Sequence, residues 1–279
     1  MKKILKPILR ACARLSRRFL SSNRVGDYFL DSIVHDVMSN VQIVKHNGLT
    51  LLFATPNLIS RMRVDTFSTK EPETLQWINS LPEACTLWDI GANVGTYSVY
   101  AAKRGVKVVA FEPSVFNLEL LSRNLFLNDL QDNVKIVPLA LSDSLGIKKM
   151  RMTTTDWGGA LSSFGEDYGW DGRPIASTFV FQTLGISMDE AVKVLRLPPP
   201  LYIKMDVDGI EHIILQGGIE VLTRVQGVII EINDEFEEQA KRSEYYLSQA
   251  GLKLKSKQHA QMIENSEFNT GFNQIWVRD

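Results

Sequence analysis

The chain has 279 residues, 44% of them hydrophobic and 23% charged. That is the make-up of an ordinary soluble globular protein, long enough for a sizeable core. Only two cysteines occur, Cys12 and Cys85, which excludes a disulfide framework and fits a reducing compartment. The four histidines, His35, His46, His212 and His259, are scattered without metal-ligand spacing. The net charge of −1 is unevenly spread: eight Lys or Arg and no acid lie between Met1 and Arg24. The remaining body is therefore acidic, which argues against nucleic-acid binding.

The opening "MKKILKPILRACARLSRRFL" repeats Ile4, Leu5, Ile8, Leu9, Cys12, Leu15 and Phe19 at helical spacing, with Lys and Arg between them. No uninterrupted apolar run is long enough to span a bilayer or form a signal core. A basic amphipathic helix over 1–24 has two readings. It lies on an anionic membrane surface, which would put the protein in the cytoplasm at the inner face of a membrane, or it packs on the body with its charges in water.

Residues 25–85 read as a lead-in that covers a site further on. "NVQIVKHNGLTLLFAT" predicts a hairpin turning at Asn47-Gly48. "TKEPETLQWINSLP" predicts a helix with Thr69 as N-cap and Pro72 in its first turn.

From Thr86 to Asp279 strands and helices alternate, apart from an insertion at about 151–180 that is rich in Gly and aromatics. Buried strands joined by helical crossovers predict an α/β fold with a doubly wound, mostly parallel sheet. Ligands in such sheets sit at the carboxyl ends of strands.

At the first of these ends stands "LWDIGANVGTYSVYAAKRG". A dinucleotide fingerprint would be G-x-G-x-x-G, but Asn93 stands where its second glycine belongs, and Asp89 would face two phosphates. The same acid suits an ammonium group, and amides at a helix start suit a carboxylate. S-adenosylmethionine has both, so Asp89, Gly91, Ala92, Asn93 and Gly95 are its candidate cradle. Glu112, ending the second strand in "VVAFEP", has the reach to accept both hydroxyls of a ribose. The third strand runs into "VPLALSD", where Ser142 and Asp143 are candidates for an adenine amino group; a turn-forming acid is the plainer reading of Asp143.

"DIGANVGTYSVYAAKRG", "VVAFEPSVFNLELLSRNLFLN", "PLALSD" and "YIKMDVDGIEHIILQGG" together resemble the FkbM-type methyltransferases, over roughly Thr86 to Ile232. The resemblance implies a Rossmann-like class I methyltransferase sheet of seven strands with helices on both faces. It also implies S-adenosyl-L-methionine-dependent O-methylation, often of sugars or polyketide-like natural products. One departure is Asp208, where the family usually has Glu; the charge is kept and the reach shortened.

Methyl transfer to an alcohol needs an aligned acceptor oxygen and a route for its proton. "IKMDVDGIE" offers Lys204, Asp206, Asp208 and Glu211, with Lys204 and Asp206 on one side of the strand. "IIEIND" adds Glu231, Asn233 and Asp234. In one reading Asp206 or Glu231 is the base and Lys204 orients or tunes it. In a second, less favoured, Asp206 and a strand-five acid hold Mg²⁺. In a third, Lys204 and Asp206 are a structural ion pair. Glu211 has the alternative task of capping the next helix.

The expected activity is O-methylation of a hydroxyl on a sugar, glycan or glycolipid. Its rivals are a soluble methyltransferase of a small secondary metabolite, a cofactor-binding protein without catalysis, and a dehydrogenase, which Asn93 and Asp89 disfavour. Acceptor identity and oligomeric state have no readable code in the sequence.

Overall fold

The computed structural model describes residues 2–259, 266 and 268–278. The basic segment is helix α1 (Lys2–Leu20), followed by α2 (Arg24–Met38). Gly26 makes the corner between them: a Cβ there would lie 1.7 Å from the carbonyl oxygen of Leu20. Gly26 is the buried residue of α2. Among the described residues of the two helices no large apolar side chain is buried.

Strands β1 (Val41–His46) and β2 (Leu49–Ala54) form the expected hairpin. Asn47 and Gly48 both have positive φ, 46° and 77°, as a type I′ turn requires. The open edge of β2 is satisfied by amide side chains of a later helix. Leu52 N–H donates to Asn128 at 3.1 Å and Ala54 N–H to Asn124 at 2.8 Å. Helices α3 (Leu58–Asp65), α4 (Phe67–Lys70) and α5 (Pro72–Ser80) follow. Thr69 is not an N-cap: it lies inside α4, and Glu71 precedes Pro72, the first residue of α5. The ring of Pro72 removes an N–H that a first turn leaves unbonded, so the helix starts there.

Then come β3 (Thr86–Ile90), α6 (Thr96–Lys103), β4 (Lys107–Phe111), α7 (Val115–Leu127) and β5 (Val134–Val137). The chain next leaves the main sheet for β6 (Ala140–Ser142), β7 (Gly146–Met152), β8 (Ser163–Phe164) and β9 (Phe179–Ser187). These form a separate four-stranded sheet, order β6-β9-β7-β8. The chain returns through α8 (Met188–Val194), β10 (Tyr202–Met205), α9 (Glu211–Gln216), α10 (Ile219–Leu222), β11 (Gly227–Asn233), α11 (Glu237–Gln249), β12 (Lys253–Gln258) and β13 (Gly271–Val277).

The main sheet has seven strands in the order β12-β13-β11-β10-β3-β4-β5. It is parallel from β11 to β5, and β13 is antiparallel to both its neighbours. Alternation along each strand splits the core. Trp88, Ile90, Val109, Phe111, Ile203, Met205 and Ile230 face the second sheet and α8–α11. Leu87, Val108, Ala110 and Ile229 face α6 and the lead-in, where Leu51, Phe53, Phe67, Leu75 and Ile78 are buried. The part of the lead-in from β2 to α5 is thus built into the core and does more than close over it. The strand order reverses between β3 and β10, where the crevice of such a sheet opens.

Candidate active site

The crevice is set by backbone before any side chain acts. Gly91 leaves β3 at φ 79°, and a Cβ there would lie 1.9 Å from the carbonyl oxygen of Asp206. Only glycine admits that approach. Asn93 (φ 52°) and Gly95 (φ 81°) complete the turn into α6, and Asn tolerates the left-handed conformation better than most residues.

The registers of β3, β10 and β11 decide which charges meet. Lys204 is paired with Asp89 and with Ile229. Two residues on, the same face carries Asp206 on β10 and Glu231 on β11. Lys204 is 4% exposed. Its Nζ is 3.5 Å from Asp89 Oδ1 and 3.5 Å from Asp206 Oδ2, and 5.3 Å from the centre of the Tyr97 ring. Burial opposes the charge on Lys204, but Asp89, Asp206 and Glu71 outweigh it and raise its pKa. Asp89 is 1% exposed, and its Oδ2 accepts from Ser98 at 2.6 Å. It lies beneath the loop and holds Lys204.

Burial also opposes the charge on Asp206, yet Lys204 and Lys70 keep its pKa below the ordinary carboxylate range. Glu231 goes the other way. Burial, then the charges of Asp206 and Glu71, push it far up, and its carboxyl is hydrogen-bonded to Asp206. These surroundings thus favour the charged form of Asp206 and the neutral form of Glu231. Burial likewise raises Asp208, and the Leu161 amide donates to it at 2.6 Å. Glu211 fastens the loop before its own helix: the amides of Val207 and Gly209 donate to it at 3.0 and 3.1 Å, and Gln239 at 2.5 Å. Asn233 takes the Gln239 carbonyl on its N–H at 2.8 Å, while Asp234 pairs with Lys257.

Three cavities meet at Gly91. The first is apolar, walled by Ile90, Phe111, Leu139, Leu141, Met150 and Ile210. The second holds Asn93, Glu112, Ser114 and Asn117. The third holds Arg63, Phe67, Lys70, Glu71, Tyr97, Lys204 and Asp206. Burial raises Glu112 to about 7, although the amides of Asn93 and Ser114 each donate to it at 2.8 Å. A strap from the insertion lies across the middle. The Gly159 carbonyl accepts from Asn93 and Asn117, at 2.8 and 3.1 Å, and the Gly158 amide donates to Asn117 at 3.0 Å.

The structure therefore gathers Gly91, Ala92, Asn93, Glu112, Lys204 and Asp206 around one cleft, with Glu231 against Asp206. Ser142 and Asp143 are placed elsewhere. The third main-sheet strand stops at Val137, and "LALSD" runs on into the second sheet, where Lys148 binds Asp143 at 2.7 Å and Ser142 at 3.0 Å. Gly95 packs on Leu121, 2.4 Å from its would-be Cβ, rather than facing the cleft. Sequence reasoning missed Arg63, Lys70, Glu71 and Tyr97. For Arg63, Lys70 and Glu71 the one signal was that a lead-in often covers a site; Tyr97 lies in the glycine-loop stretch itself, in the first turn of α6. Among the described residues no group of three His, Cys, Asp or Glu is arranged to hold a metal ion.

This sheet order, with its glycine turn and its charged cleft at the reversal, defines a Rossmann-like class I methyltransferase. The Methyltransferase FkbM domain matches residues 89–268, and the chain belongs to the FkbM methyltransferase family. Hexuronic acid methyltransferase AglP of Haloferax volcanii is 30% identical over 155 residues, covering 53% of this chain and 55% of that protein. Methyltransferase sdnD of Sordaria araneosa is 41% identical over 71 residues, covering 25% of this chain and 27% of that protein. This chain thus spans about half of the first relative and about a quarter of the second. The FkbM methyltransferase of Methylobacillus flagellatus KT superposes with a TM-score of 0.50 at 13% identity, covering 78% of this chain and 52% of that one; this likeness concerns the fold.

Proposed function

We propose that the protein transfers the methyl group of S-adenosyl-L-methionine to a hydroxyl of a sugar, glycan or glycolipid. The observation that carries this reading is the gradation along one cleft: an apolar end, a middle with a buried carboxyl, and an end where amines and carboxylates converge on Asp206. The first two suit an adenine and a ribose, and the charged end is where the cofactor's amino-acid tail and the acceptor would meet. Gly91, Ala92 and Asn93 supply close backbone, and Glu112 faces the ribose position. Asp89 serves the site through Lys204, and Gly95 shapes the turn. In this reading Ser142 and Asp143 stay outside the cofactor's reach.

The bound cofactor supplies a methyl group on a sulfonium, a good leaving group. The rest falls to this chain. Asp206, kept in its charged form beside the cleft, takes the acceptor's proton; Lys204 fixes its position, and Glu231, hydrogen-bonded to it and pushed toward its neutral form, steadies it. A positioned base of this kind is worth about 10²–10⁴-fold in rate. A sugar acceptor is supported by the relative named for hexuronic acid. Mg²⁺ held by Asp206 and Glu231 is the weaker alternative, because Lys204 and Lys70 already press on Asp206. Turnover that EDTA leaves intact supports the metal-free reading; loss restored by Mg²⁺ would install the metal. The main test incubates the protein with methyl-tritiated cofactor and a glycolipid extract of the source cells. Base-stable label, absent with Asp206→Asn, is expected; base-labile or no transferred label would overturn O-ether formation.

We also infer that the arm rests on an anionic membrane from the cytoplasmic side. No described helix is long and apolar enough to cross a membrane. On α1 and α2, Leu9, Leu15, Phe19, Tyr28 and Val34 are all more than half exposed. Eight basic residues and no acid between Met1 and Arg24 favour an anionic lipid surface over a second copy, whose arm would repel. Flotation of the full chain with phosphatidylglycerol vesicles, lost on deleting residues 1–24, supports this; equal flotation of both chains contradicts it.

A further inference from the structure

Three cations line the charged end of the cleft. Lys204 is held by Asp89 and Asp206. Lys70 is 2.7 Å from Glu71. Arg63, on α3 and in the same lining, is different. Its Nε donates to the neutral carbonyl of Gly158 at 2.8 Å, and it makes no ion pair among the described residues. That bond fixes the plane of the guanidinium while committing one of its five donors. Its charge is felt by Asp206 and Asp208 at the end of β10, so it sits toward the reacting side.

We infer that Arg63 binds an anionic group of the acceptor, so that the preferred substrate is an acidic sugar bearing a carboxylate or a phosphate. This rests on the methyltransferase reading above. A planar guanidinium fits a carboxylate or phosphate through two parallel N–H bonds, and a half-buried cation without a partner gains most from such an anion. The cofactor's own carboxylate has another partner in the amides that open α6, which leaves Arg63 for the acceptor. The sulfonium adds one more positive charge to the same end, which favours an anion further.

The test uses the full chain saturated with S-adenosylhomocysteine and titrated calorimetrically with glucuronate, glucose 6-phosphate and glucose. At least one anionic sugar is expected to bind more tightly than glucose by roughly tenfold, the scale of one charge-assisted hydrogen bond. Whichever is favoured distinguishes carboxylate from phosphate. Arg63→Gln should erase the preference, and Arg63→Lys should restore part of it, both with unchanged affinity for S-adenosylhomocysteine. Equal binding of all three sugars, or binding of none, overturns the inference. So does a loss of S-adenosylhomocysteine affinity in Arg63→Gln, which would assign Arg63 to the cofactor. Failure of the wild type to bind S-adenosylhomocysteine would instead sink the methyltransferase reading itself.

Discussion

Gly91 and Asp206 touch across the reversal point of the sheet: a Cβ on the glycine would lie 1.9 Å from the Asp206 carbonyl oxygen. The Asp206 amide also donates to Ile90 at 3.1 Å. The glycine turn and the proposed base are thus tied together through the backbone. Gly91→Ala forces the left-handed φ of 79° on a residue with a side chain, costing about 1–3 kcal/mol from the backbone alone, and the clash adds to it. A lowered unfolding midpoint with lost cofactor binding is expected. A variant of wild-type stability and affinity would show that the contact is unimportant.

Against its burial, Lys204 and Lys70 press the Asp206 carboxyl down, while burial beside Asp206 pushes Glu231 up, so the proposed mechanism gives the two different roles. Asp206→Asn removes the proposed base and should reduce turnover about 10²–10⁴-fold while cofactor binding persists. Glu231→Gln keeps a neutral hydrogen-bond donor beside Asp206 and should retain most of the turnover. The reverse pattern in steady-state kinetics would make Glu231 the base.

Lys204 is held in place by two carboxylates and a ring face. Lys204→Met keeps the bulk and leaves Asp89 buried without its cation. Removing one partner of a buried pair costs about 3–5 kcal/mol, so chemical denaturation should show a loss on that scale. A loss below about 1 kcal/mol, the value of an exposed pair, would contradict a buried Lys204–Asp89 pair that holds the site together.

Glu112 gives stability a pH dependence of known sign. Its folded pKa, about 7 through burial, is above the ordinary 4.5. The folded state therefore holds a proton that the unfolded state releases, and this contribution is full below 4.5 and lost as pH rises through about 7. Thermal melts of the wild type against Glu112→Gln should narrow in difference, or reverse, between those limits as pH rises. A difference independent of pH would contradict the protonated carboxyl.

The alternating half of the chain was legible because period-two strands and helical crossovers repeat there without interruption. β3, β4, β10 and β11, with the helices between them, are that alternation. The second sheet was not legible. β8 has two residues, and much of β9 is exposed, so neither carries an apolar signal. Splitting "VPLALSD" between two sheets depends on tertiary packing, and this misplaced Ser142 and Asp143. Lys204, Asp206 and Glu231 were readable because β-strand alternation fixes faces. Arg63, Lys70 and Glu71 come from the helical lead-in before β3, remote in sequence from Lys204 and Asp206, and only the folded lead-in delivers them to the cleft.

The account stands or falls on what the glycine turn holds. Isothermal titration of the full chain with S-adenosylhomocysteine and, separately, with NAD tests it most directly. Saturable one-to-one binding of S-adenosylhomocysteine, weakened by Glu112→Gln, with no heat from NAD, is the predicted result. Binding of NAD, or of neither ligand, would contradict it.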